Sequence, residues 1–480
     1  MEGTSIIAHM ENMKFHRLFS QTMYKNRKLL LGEMTFTKDF IRDDRGDLYP
    51  VIHKSMDCAE EIENNQYRIN AGTVKRMFGG FFPYATYEID FLLSEGFCGF
   101  SFFIPNGKAD ITYDGEKVVF QTAEKKEYVE YSSVCKRVTM MVSCRPGAFD
   151  IYFLRSGQAR YFYTFQAKEF QHSHLQKIFQ QGYVCLSVCG KATVHAASFY
   201  IDCGISQADI RPIRYENGEI LFENGKVYLT ASIRMQEEMF QGIFAWMPST
   251  AEIELCGALF YDSGDGYWCG DVAASVLYHR EKKQWYLWVC SFAHGHVLGH
   301  SVLSGDPRFG VNVADIILME KANVPNDITR FSGFEGDEDP DFYYNEKEKK
   351  WYMAICRIDP SVQNYRYVFF KSDKPFTDYE YIGKGYDGAE TGGSFVTIGE
   401  EKVFVCGNDF HQKSNYRIYT ENGMREADFD FPDGGYRGWG TIIPVEMGSR
   451  RRYFWITFDR HNGSSYLWSY GNIYCFEGIL

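Results

Sequence analysis

The chain has 480 residues, of which 45% are hydrophobic and 17% aromatic, and its formal net charge is −12. This length and apolar content allow a large buried core divided over two or three domains. The negative charge argues against nucleic acid and anionic membranes as partners, because both are bound through clustered lysine and arginine. A neutral partner remains compatible with it.

No run of roughly 18 consecutive apolar residues occurs, and the first residues do not resemble a secretory signal. We therefore expect a cytoplasmic protein. The thirteen cysteines are odd in number, and most lie in strand-like segments, which predicts buried reduced thiols rather than a disulfide framework. Cys185 and Cys189 lie four residues apart, but no second Cys or His pair follows at the spacing of a zinc site.

The first half of the chain is predicted to form short strands separated by tight turns such as Asp114-Gly115. The whole chain contains 40 Phe and 34 Tyr, which favour strands, and 44 Gly, which favour turns. Alternating patterns with this spacing are typical of a sandwich of antiparallel sheets. The predicted strands are Tyr87–Leu92, Phe100–Ile104, Lys117–Phe120, Val138–Val142, Asp150–Phe153 and Ala197–Asp202.

The strand order, with a closing strand at Ala197–Asp202, resembles the concanavalin-type or laminin-G-like jelly roll that often accompanies glycoside hydrolases. The predicted domain covers residues 1–203 and includes an N-terminal extension. Such a domain can bind sugar through exposed aromatic residues or only pack against its neighbour. We favour packing, because aromatic residues in strands more often belong to a core.

A different regularity begins after Cys203–Gln207, where hairpins recur and each is followed by an aromatic-rich strand. Their spacing is close to the roughly 40 to 50 residues of a propeller blade before insertions. A second sandwich would not need one such hairpin per repeat. The sequence therefore predicts an all-β protein with a five-bladed β-propeller over 204–480. The five hairpin centres are Glu223–Lys226, His279–Gln284, Asn345–Lys350, Gly399–Lys402 and Met447–Arg452.

Acids stand where three successive blades begin. Asp271 precedes Val276-Leu277-Tyr278, Asp339 opens the run Asp339-Pro340-Asp341, and Glu390 lies in Ala389–Ser394. This pattern resembles the five-bladed propeller glycoside hydrolases of families 43, 32, 62, 68 and 117, whose acids converge on the central axis. The resemblance implies that Glu390 is the general acid, Asp271 the base or nucleophile, and Asp339 an orienting group that modulates pKa values.

Two further acids remain in reserve. Asp341 lies two residues after Asp339, so in a regular strand it faces the same side and could replace it. Asp209 is the nearest acid of the first blade, which lacks an aspartate-proline pair. If Asp209 is the base, the assigned roles shift by one blade. The alternative for all of these acids is that they cap turns or pair with arginines.

Other candidates for substrate binding lie in loops. Trp268 and Trp439 occur in Gly-rich stretches, where an exposed ring can stack on a sugar. His294 and His296 can donate hydrogen bonds to sugar hydroxyls, and no metal is assigned to them because no carboxylate partner is near in sequence. Arg437 can contact the substrate or form a surface salt bridge.

Two carboxyl groups are what glycosidic cleavage requires, since one protonates the leaving oxygen and the other activates water or attacks the sugar. We therefore expect a glycoside hydrolase acting on an oligo- or polysaccharide without an organic cofactor, on a scaffold that allows a structural metal ion at the axis. The alternatives are a non-catalytic carbohydrate-binding protein, or a phosphorylase or transglycosidase. A phosphorylase needs basic residues at the axis, and Arg211 and Arg437 alone do not decide this.

Overall fold

A computed structural model describes residues 14–19, 24–34, 59–61, 67–69, 73–133, 135–319, 337–359, 364–386, 390–398, 401–407, 415–420, 422–428, 437–448, 450–459 and 473–479. The chain divides into two compact units. The sandwich unit comprises Lys28–Asp202 and Gly266–Trp268. The propeller unit comprises Met1–Arg27, Cys203–Asp265 and Cys269–Leu480. None of the helices in the described ranges is long and apolar enough to cross a membrane.

The strands up to residue 202 include two that belong to the propeller unit, β1 and β2. A 3-10 turn at Lys168–Phe170 and a short helix at Gln176–Phe179 follow β13. The strands are β1 Lys14–Phe19, β2 Tyr24–Asn26, β3 Lys28–Met34, β4 Ala59–Glu61, β5 Tyr67–Ile69, β6 Thr73–Gly80, β7 Thr86–Ile104, β8 Gly107–Tyr113, β9 Lys117–Gln121, β10 Lys126–Glu130, β11 Arg137–Arg145, β12 Ala148–Arg155, β13 Gln158–Gln166 and β14 Tyr183–Asp202.

The strands after residue 202 all belong to the propeller unit. They are β15 Ser206–Pro212, β16 Arg214–Tyr215, β17 Phe222–Glu223, β18 Lys226–Arg234, β19 Met239–Met247, β20 Glu252–Asp262, β21 Val272–His279, β22 Gln284–Ser291, β23 Val297–Leu303, β24 Gly310–Asp315, β25 Ile317–Leu318, β26 Asp337–Asn345, β27 Lys350–Asp359, β28 Asn364–Ser372, β29 Glu380–Lys384, β30 Thr391–Ile398, β31 Glu401–Gly407, β32 Asn415–Thr420, β33 Gly423–Asp428, β34 Arg437–Met447, β35 Arg450–Asp459 and β36 Ile473–Ile479.

The sandwich unit is one sheet folded over on itself. Its strands follow the order β10-β9-β8-β7-β11-β12-β13, so β9 and β13 lie far apart along the sheet. Phe120 of β9 nevertheless stacks on Phe165 of β13, with ring centroids 4.9 Å apart. Tyr113 of β8 meets Phe153 of β12 at 5.9 Å. The two ends of the sheet therefore face each other across an aromatic core, which confirms the predicted sandwich.

Two long strands connect the layers of this sandwich. β7 and β14 are paired along most of their length, and Gly96 and Gly190 face each other with φ of 88° and 83°. A Cβ at Gly96 would lie 2.0 Å from the Cys189 carbonyl oxygen, so only glycine fits there. The predicted strands Tyr87–Leu92 and Phe100–Ile104 are consequently parts of the single strand β7, which corrects the sequence-based division.

The propeller unit contains five sheets, each a blade. Blade I has the order β15-β18-β19-β20, and blade II β16-β21-β22-β23-β25. Blades III and IV are β26-β27-β28-β29 and β30-β31-β32-β33, and blade V is β34-β35-β36-β1. The predicted hairpins are confirmed, for example by the pairing of Asn345 with Lys350 and of His279 with Gln284. Residues 399–400 of the fourth predicted hairpin lie outside the described ranges.

The sequence predicts that the N-terminal strand belongs to the first domain, but β1 is part of the propeller unit. Lys14–Phe19 pairs antiparallel with Ile473–Ile479, so β1 supplies the fourth strand of blade V. Backbone hydrogen bonds of an edge strand need a partner, and β1 satisfies those of β36. The described part of the sequence from β3 to β14 is therefore inserted between two strands of the propeller unit.

The inner strands β15, β21, β26, β30 and β34 form a closed ring, because each contacts the inner strands of both neighbouring blades. Hydrophobic cores fill the space between blades. Leu277 and Trp288 of blade II pack with Phe342 of blade III, and Val405 of blade IV packs with Ile442 of blade V. This packing fixes the starts of the inner strands around a common axis.

Candidate active site at the propeller centre

A β-bulge occurs at the same place in every inner strand. The pairing register shifts between Ala208 and Arg211, Val272 and Ser275, Glu338 and Asp341, Thr391 and Ser394, and Gly438 and Thr441. Asp209 and Asp339 occupy the first bulged position of blades I and III and have φ of 53° and 48°. Ala273 and Gly392 occupy that position in blades II and IV. Bulges redirect side chains at the ends of strands, and here they give two blades an equivalent carboxylate.

Asp209 is held through one oxygen. Its Oδ2 accepts a hydrogen bond from Ser232 Oγ at 2.6 Å and lies 3.5 Å from Arg234 Nη2. Its Oδ1 has no hydrogen-bond partner among the described residues, yet it is not enclosed. Burial and the charge of Asp339 raise the pKa of Asp209, against the lowering effect of Arg234. The ionisation of Asp209 therefore depends on the charge of Asp339.

Asp339 is held in a similar way. Its Oδ2 accepts hydrogen bonds from Thr391 Oγ1 at 2.7 Å and from the Gly392 N–H at 2.9 Å. Its Oδ1 lies 3.8 Å from Arg211 Nη2. Within the described residues, this Oδ1 also lacks a hydrogen-bond partner without being enclosed. Both aspartates thus present one oxygen that is available to a ligand.

Arg211 lies beneath these acids and is only 2% exposed. Its Nη1 donates to the carbonyl oxygens of Ala273 and Pro340, at 3.0 and 2.7 Å, and so connects blades I, II and III. Its Nε and Nη2 are buried and have no hydrogen-bond partner in the described part of the chain. A buried guanidinium with unsatisfied donors beside two open carboxylates is the signature of a polar site that takes up water or ligand oxygens.

Glu338 is a site residue that the sequence reasoning missed. Its Oε1 lies 2.7 Å from His296 Nδ1 and 3.4 Å from the hydroxyl of Tyr365. Burial and the charges of Asp339 and Asp209 raise the pKa of Glu338, although His296 opposes this. The signal in the sequence was the acidic run Asp337-Glu338-Asp339, of which only the member next to Pro340 fitted the family pattern.

Glu390 is fully buried, and both of its carboxylate oxygens are engaged. Oε1 accepts hydrogen bonds from Arg417 Nη1 at 2.7 Å and from the hydroxyl of Tyr419, and Oε2 accepts the Tyr367 N–H at 3.1 Å. Burial raises the pKa of Glu390, against these hydrogen bonds. The structure therefore places the predicted general acid in a closed, arginine-paired setting.

Asp271 lies two residues before its bulge, at the position that Asp337 and Glu390 occupy in blades III and IV. It is 2% exposed, its Oδ1 accepts the Ala293 N–H at 3.2 Å, and its Oδ2 is enclosed without a hydrogen-bond partner among the described residues. Burial raises the pKa of Asp271. The predicted trio therefore mixes two strand positions, and Asp209 rather than Asp271 is the equivalent of Asp339.

Asp341 does not share the face of Asp339, which corrects the expectation from regular strand alternation. The bulge separates them, because Glu338 pairs with Cys356 and Asp341 already pairs with Ala354. Asp341 is fully buried and accepts hydrogen bonds from Arg214, from Ser275 Oγ and from the Phe395 N–H. Through these contacts Asp341 connects blades II, III and IV as a structural ion pair.

The predicted loop residues fall in different places. His296 contacts the acids through Glu338, whereas His294 is held by Ser291 Oγ at 2.7 Å and Ser263 Oγ at 3.0 Å. Trp268 belongs to the sandwich unit, where its ring lies 5.0 Å from that of Phe179. The side chains of the two remaining candidates lie outside the described residues, which cover only the backbone of Arg437 and Trp439.

Within the described ranges, no group of three or more His, Cys, Asp and Glu side chains is arranged to hold a metal ion. The centre contains Asp209, Glu338 and Asp339 with Arg211 and Arg234 around them. Such a set of carboxylates with unequal surroundings can hold a proton on one group and a negative charge on another. This arrangement can perform general acid and base chemistry.

No protein-family model matches the chain, and no curated protein matches it. Solved structures that resemble it include a family 43 β-1,3-galactosidase with galactodeoxynojirimycin, at 9% identity, a TM-score of 0.37 and coverage of 55% of this chain and 90% of that one. A thermostable family 43 glycoside hydrolase has 12% identity, a TM-score of 0.37 and coverage of 57% and 88%. A family 117 glycoside hydrolase from the marine bacterium Zobellia galactanivorans has 11% identity and a TM-score of 0.39, and the match covers 57% of this chain and 84% of that one. Neither the fold nor the function of this chain rests on these likenesses.

Proposed function

We propose that the protein hydrolyses a glycosidic bond at the centre of the propeller, in an oligo- or polysaccharide. The observation that carries this proposal is the pair Asp209 and Asp339. They occupy equivalent bulges of two blades, each is anchored by one oxygen with the other left open, and burial together with the charge of Asp339 raises the pKa of Asp209. Paired carboxyl groups with separated ionisation are what glycosidic cleavage uses.

Asp209 serves as the base that activates water, or as the nucleophile. Its raised pKa brings it closer to neutral pH, where a base removes a proton more effectively. Asp339 orients the site and modulates the pKa of Asp209, as expected from the resemblance, because Thr391 and Gly392 fix it in place. Carboxyl groups and water suffice for this hydrolysis, so the proposal includes no organic cofactor.

The test is turnover of aryl arabinofuranosides, xylosides, fructosides and galactosides by the wild type, followed by Asp209→Asn. We expect kcat/KM to fall by about 10²- to 10⁴-fold in this variant, because a positioned base contributes that much. Asp378→Asn, at an exposed position paired with Lys374, is the matched control and should keep wild-type activity. Full turnover by a folded Asp209→Asn variant would refute the assignment.

Asp339→Asn gives a second readout. Removal of its charge lowers the pKa of Asp209, so the acidic limb of the pH profile should move to lower pH in addition to any loss of kcat. An unchanged acidic limb would contradict the modulating role.

The pairing of Glu390 with Arg417 favours a second candidate, a carbohydrate-binding propeller without catalysis. It predicts that glycans bind, that no aryl glycoside is cleaved, and that Asp209→Asn changes only the dissociation constant. Turnover by the wild type excludes it.

A further inference from the structure

Two glutamates lie near the open aspartates, and their carboxyl groups differ in how many oxygens are engaged. Both oxygens of Glu390 accept hydrogen bonds, including one from Arg417, and the residue is fully buried. Glu338 is engaged through Oε1 alone, its Oε2 has no partner among the described residues and is not enclosed, and its side chain is 15% exposed. Of these two glutamates, Glu338 alone has an oxygen without a partner among the described residues and therefore open to a substrate.

We propose that Glu338, held by His296, is the carboxylic acid that carries and donates the proton to the departing sugar oxygen. This inference rests on the proposed function and replaces Glu390, the acid implied by the family resemblance, with a residue of blade III. The open oxygens of Asp209 and Asp339 and the unsatisfied Nη2 of Arg211 indicate independently that a ligand belongs at this centre.

The charges around Glu338 favour its protonated form. Burial, Asp339 and Asp209 all act against a negative charge on it, and together they raise its pKa despite the opposing effect of His296. The thiols of Cys290 and Cys356 and the phenol of Tyr365 also lie near Glu338, and burial raises their pKa values, which favours their neutral forms. Burial raises the pKa of Glu390 as well, but both of its oxygens are engaged, one of them by Arg417, so Glu390 has no open oxygen from which to donate a proton.

His296 is the positioning residue for this acid. Its ring stacks on Phe292 with centroids 4.1 Å apart, and its carbonyl oxygen accepts the Asp337 N–H at 2.9 Å, so the loop is fixed to blade III. With the hydrogen on Nδ1, His296 donates to Oε1 of Glu338 at 2.7 Å. The acid's own proton is then directed to Oε2, the oxygen that is open.

The chemical step balances without another reactant. Glu338 transfers the Oε2 proton to the glycosidic oxygen as the bond to the anomeric carbon breaks and its electron pair stays on that oxygen. Water adds to the anomeric carbon and gives its proton to Asp209, or Asp209 adds first and water displaces it with Glu338 as the base. Proton exchange with solvent restores the starting forms.

The experiment compares Glu338→Gln and Glu390→Gln on two aryl glycosides of the same sugar, one with a dinitrophenyl and one with a methoxyphenyl leaving group. A good leaving group departs without protonation, so removal of the acid harms only the poor one. We expect Glu338→Gln to lower kcat/KM by about 10²- to 10⁴-fold on the methoxyphenyl substrate and by less than about tenfold on the dinitrophenyl substrate. Glu390→Gln should affect both substrates equally.

His296→Ala tests the positioning role. Loss of the hydrogen bond that lowers the pKa of Glu338 should move the basic limb of the pH profile to higher pH. His294→Ala, in the same loop but held by two serines, is the matched control and should leave that limb in place. A shift in both variants, or in neither, would overturn the role of His296.

Equal losses of Glu338→Gln on both substrates, or a selective loss in Glu390→Gln, would overturn the assignment of the acid. The infrared C=O stretch of protonated carboxyl groups at neutral pH gives a readout that does not need turnover or a foldable Glu390 variant. Loss of intensity in Glu338→Gln supports the proposal, and unchanged intensity overturns it. A wild type without any turnover would refute the proposed function, and this spectrum would still decide whether Glu338 carries the proton.

Discussion

Two sets of buried acids surround the propeller axis. The open set, Asp209, Glu338 and Asp339, is anchored through one oxygen each, and the other oxygen has no partner among the described residues. In the closed set, Asp341 and Glu390, both oxygens of each carboxylate accept hydrogen bonds, and each carboxylate is paired with one arginine. Burial alone does not separate the sets, because Asp209 and Asp339 are only 7% and 6% exposed. The two sets differ in the number of carboxylate oxygens that accept hydrogen bonds.

This difference indicates opposite contributions to stability. A buried carboxylate with an arginine and further donors holds strands together, and loss of its partner leaves a costly unpaired charge. Burial and the charge of Asp339 raise the pKa values of Asp209 and Glu338, which means that the ionised forms of these two acids cost stability. The ion pair of Asp341 with Arg214 therefore holds the ring of inner strands together, whereas ionised Asp209 and Glu338 are retained at the expense of stability, as expected for a functional site.

The largest effect is expected for Arg214→Met. Arg214 bonds to Asp341 and to the carbonyl oxygen of Phe395, and its removal leaves Asp341 buried without its cation. The free energy of unfolding should fall by about 3 to 5 kcal/mol, measured by chemical denaturation. Arg280→Met, at a half-exposed arginine paired with Glu216, should cost about 1 kcal/mol or less. If both variants lose a similar free energy of unfolding, the buried ion pair of the closed set contributes no more to stability than a surface ion pair.

An intermediate effect is expected for Gly385→Ala. The added Cβ would lie 2.0 Å from Glu390 Oε2 and 2.8 Å from the Tyr419 hydroxyl, so the carboxylate must leave its donors. We expect a loss of about 1 to 3 kcal/mol, as for overpacking of a filled site. Gly383→Ala, two residues earlier in β29 and with nothing within 4 Å of the added Cβ, is the control and should be close to neutral. If Gly385→Ala is also neutral, Glu390 is not rigidly held.

The smallest effect, and of the opposite sign, is expected for Asp209→Asn. The raised pKa of Asp209 means that the folded protein binds this proton more tightly, so wild-type stability falls as pH rises from the ordinary value through the folded one. Above that window the variant should be more stable than the wild type by about 0.5 to 2 kcal/mol. Thermal unfolding at acidic and neutral pH measures the difference, and a destabilised variant at neutral pH would place Asp209 in the closed set.

The strands of this chain could be predicted from the sequence because the residues that indicate them lie close together in the chain. Turn residues and aromatic strands identified the hairpins, as at Asn345–Lys350, and alternation identified the sandwich. Hydrogen bonding between distant segments was not readable. Nothing local in Lys14–Phe19 indicates pairing with Ile473–Ile479, and nothing near Gly96 shows that strand pairing continues through it.

The site was only partly readable for a related reason. A bulge is set by the register between two strands and by the ring around them, so the sequence did not show that Asp339 sits in a bulge that separates it from Asp341. Regular alternation of side chains along a strand, without a bulge, predicts that Asp339 and Asp341 lie on the same face. Equivalence of Asp209 with Asp339, rather than with Asp271, likewise appears only when the five registers are compared.

The pairing of β1 with β36 also bears on how the protein is made. The fourth strand of blade V is among the earliest described segments to be synthesised, and its partner at Ile473–Ile479 is among the last. On a ribosome, the ring of blades therefore cannot close until Ile473–Ile479 has emerged, and β1 remains without this partner while the inserted sandwich unit is translated. Closure of a loop this long adds only a few kcal/mol of entropy cost, but it makes completion of the ring a late event.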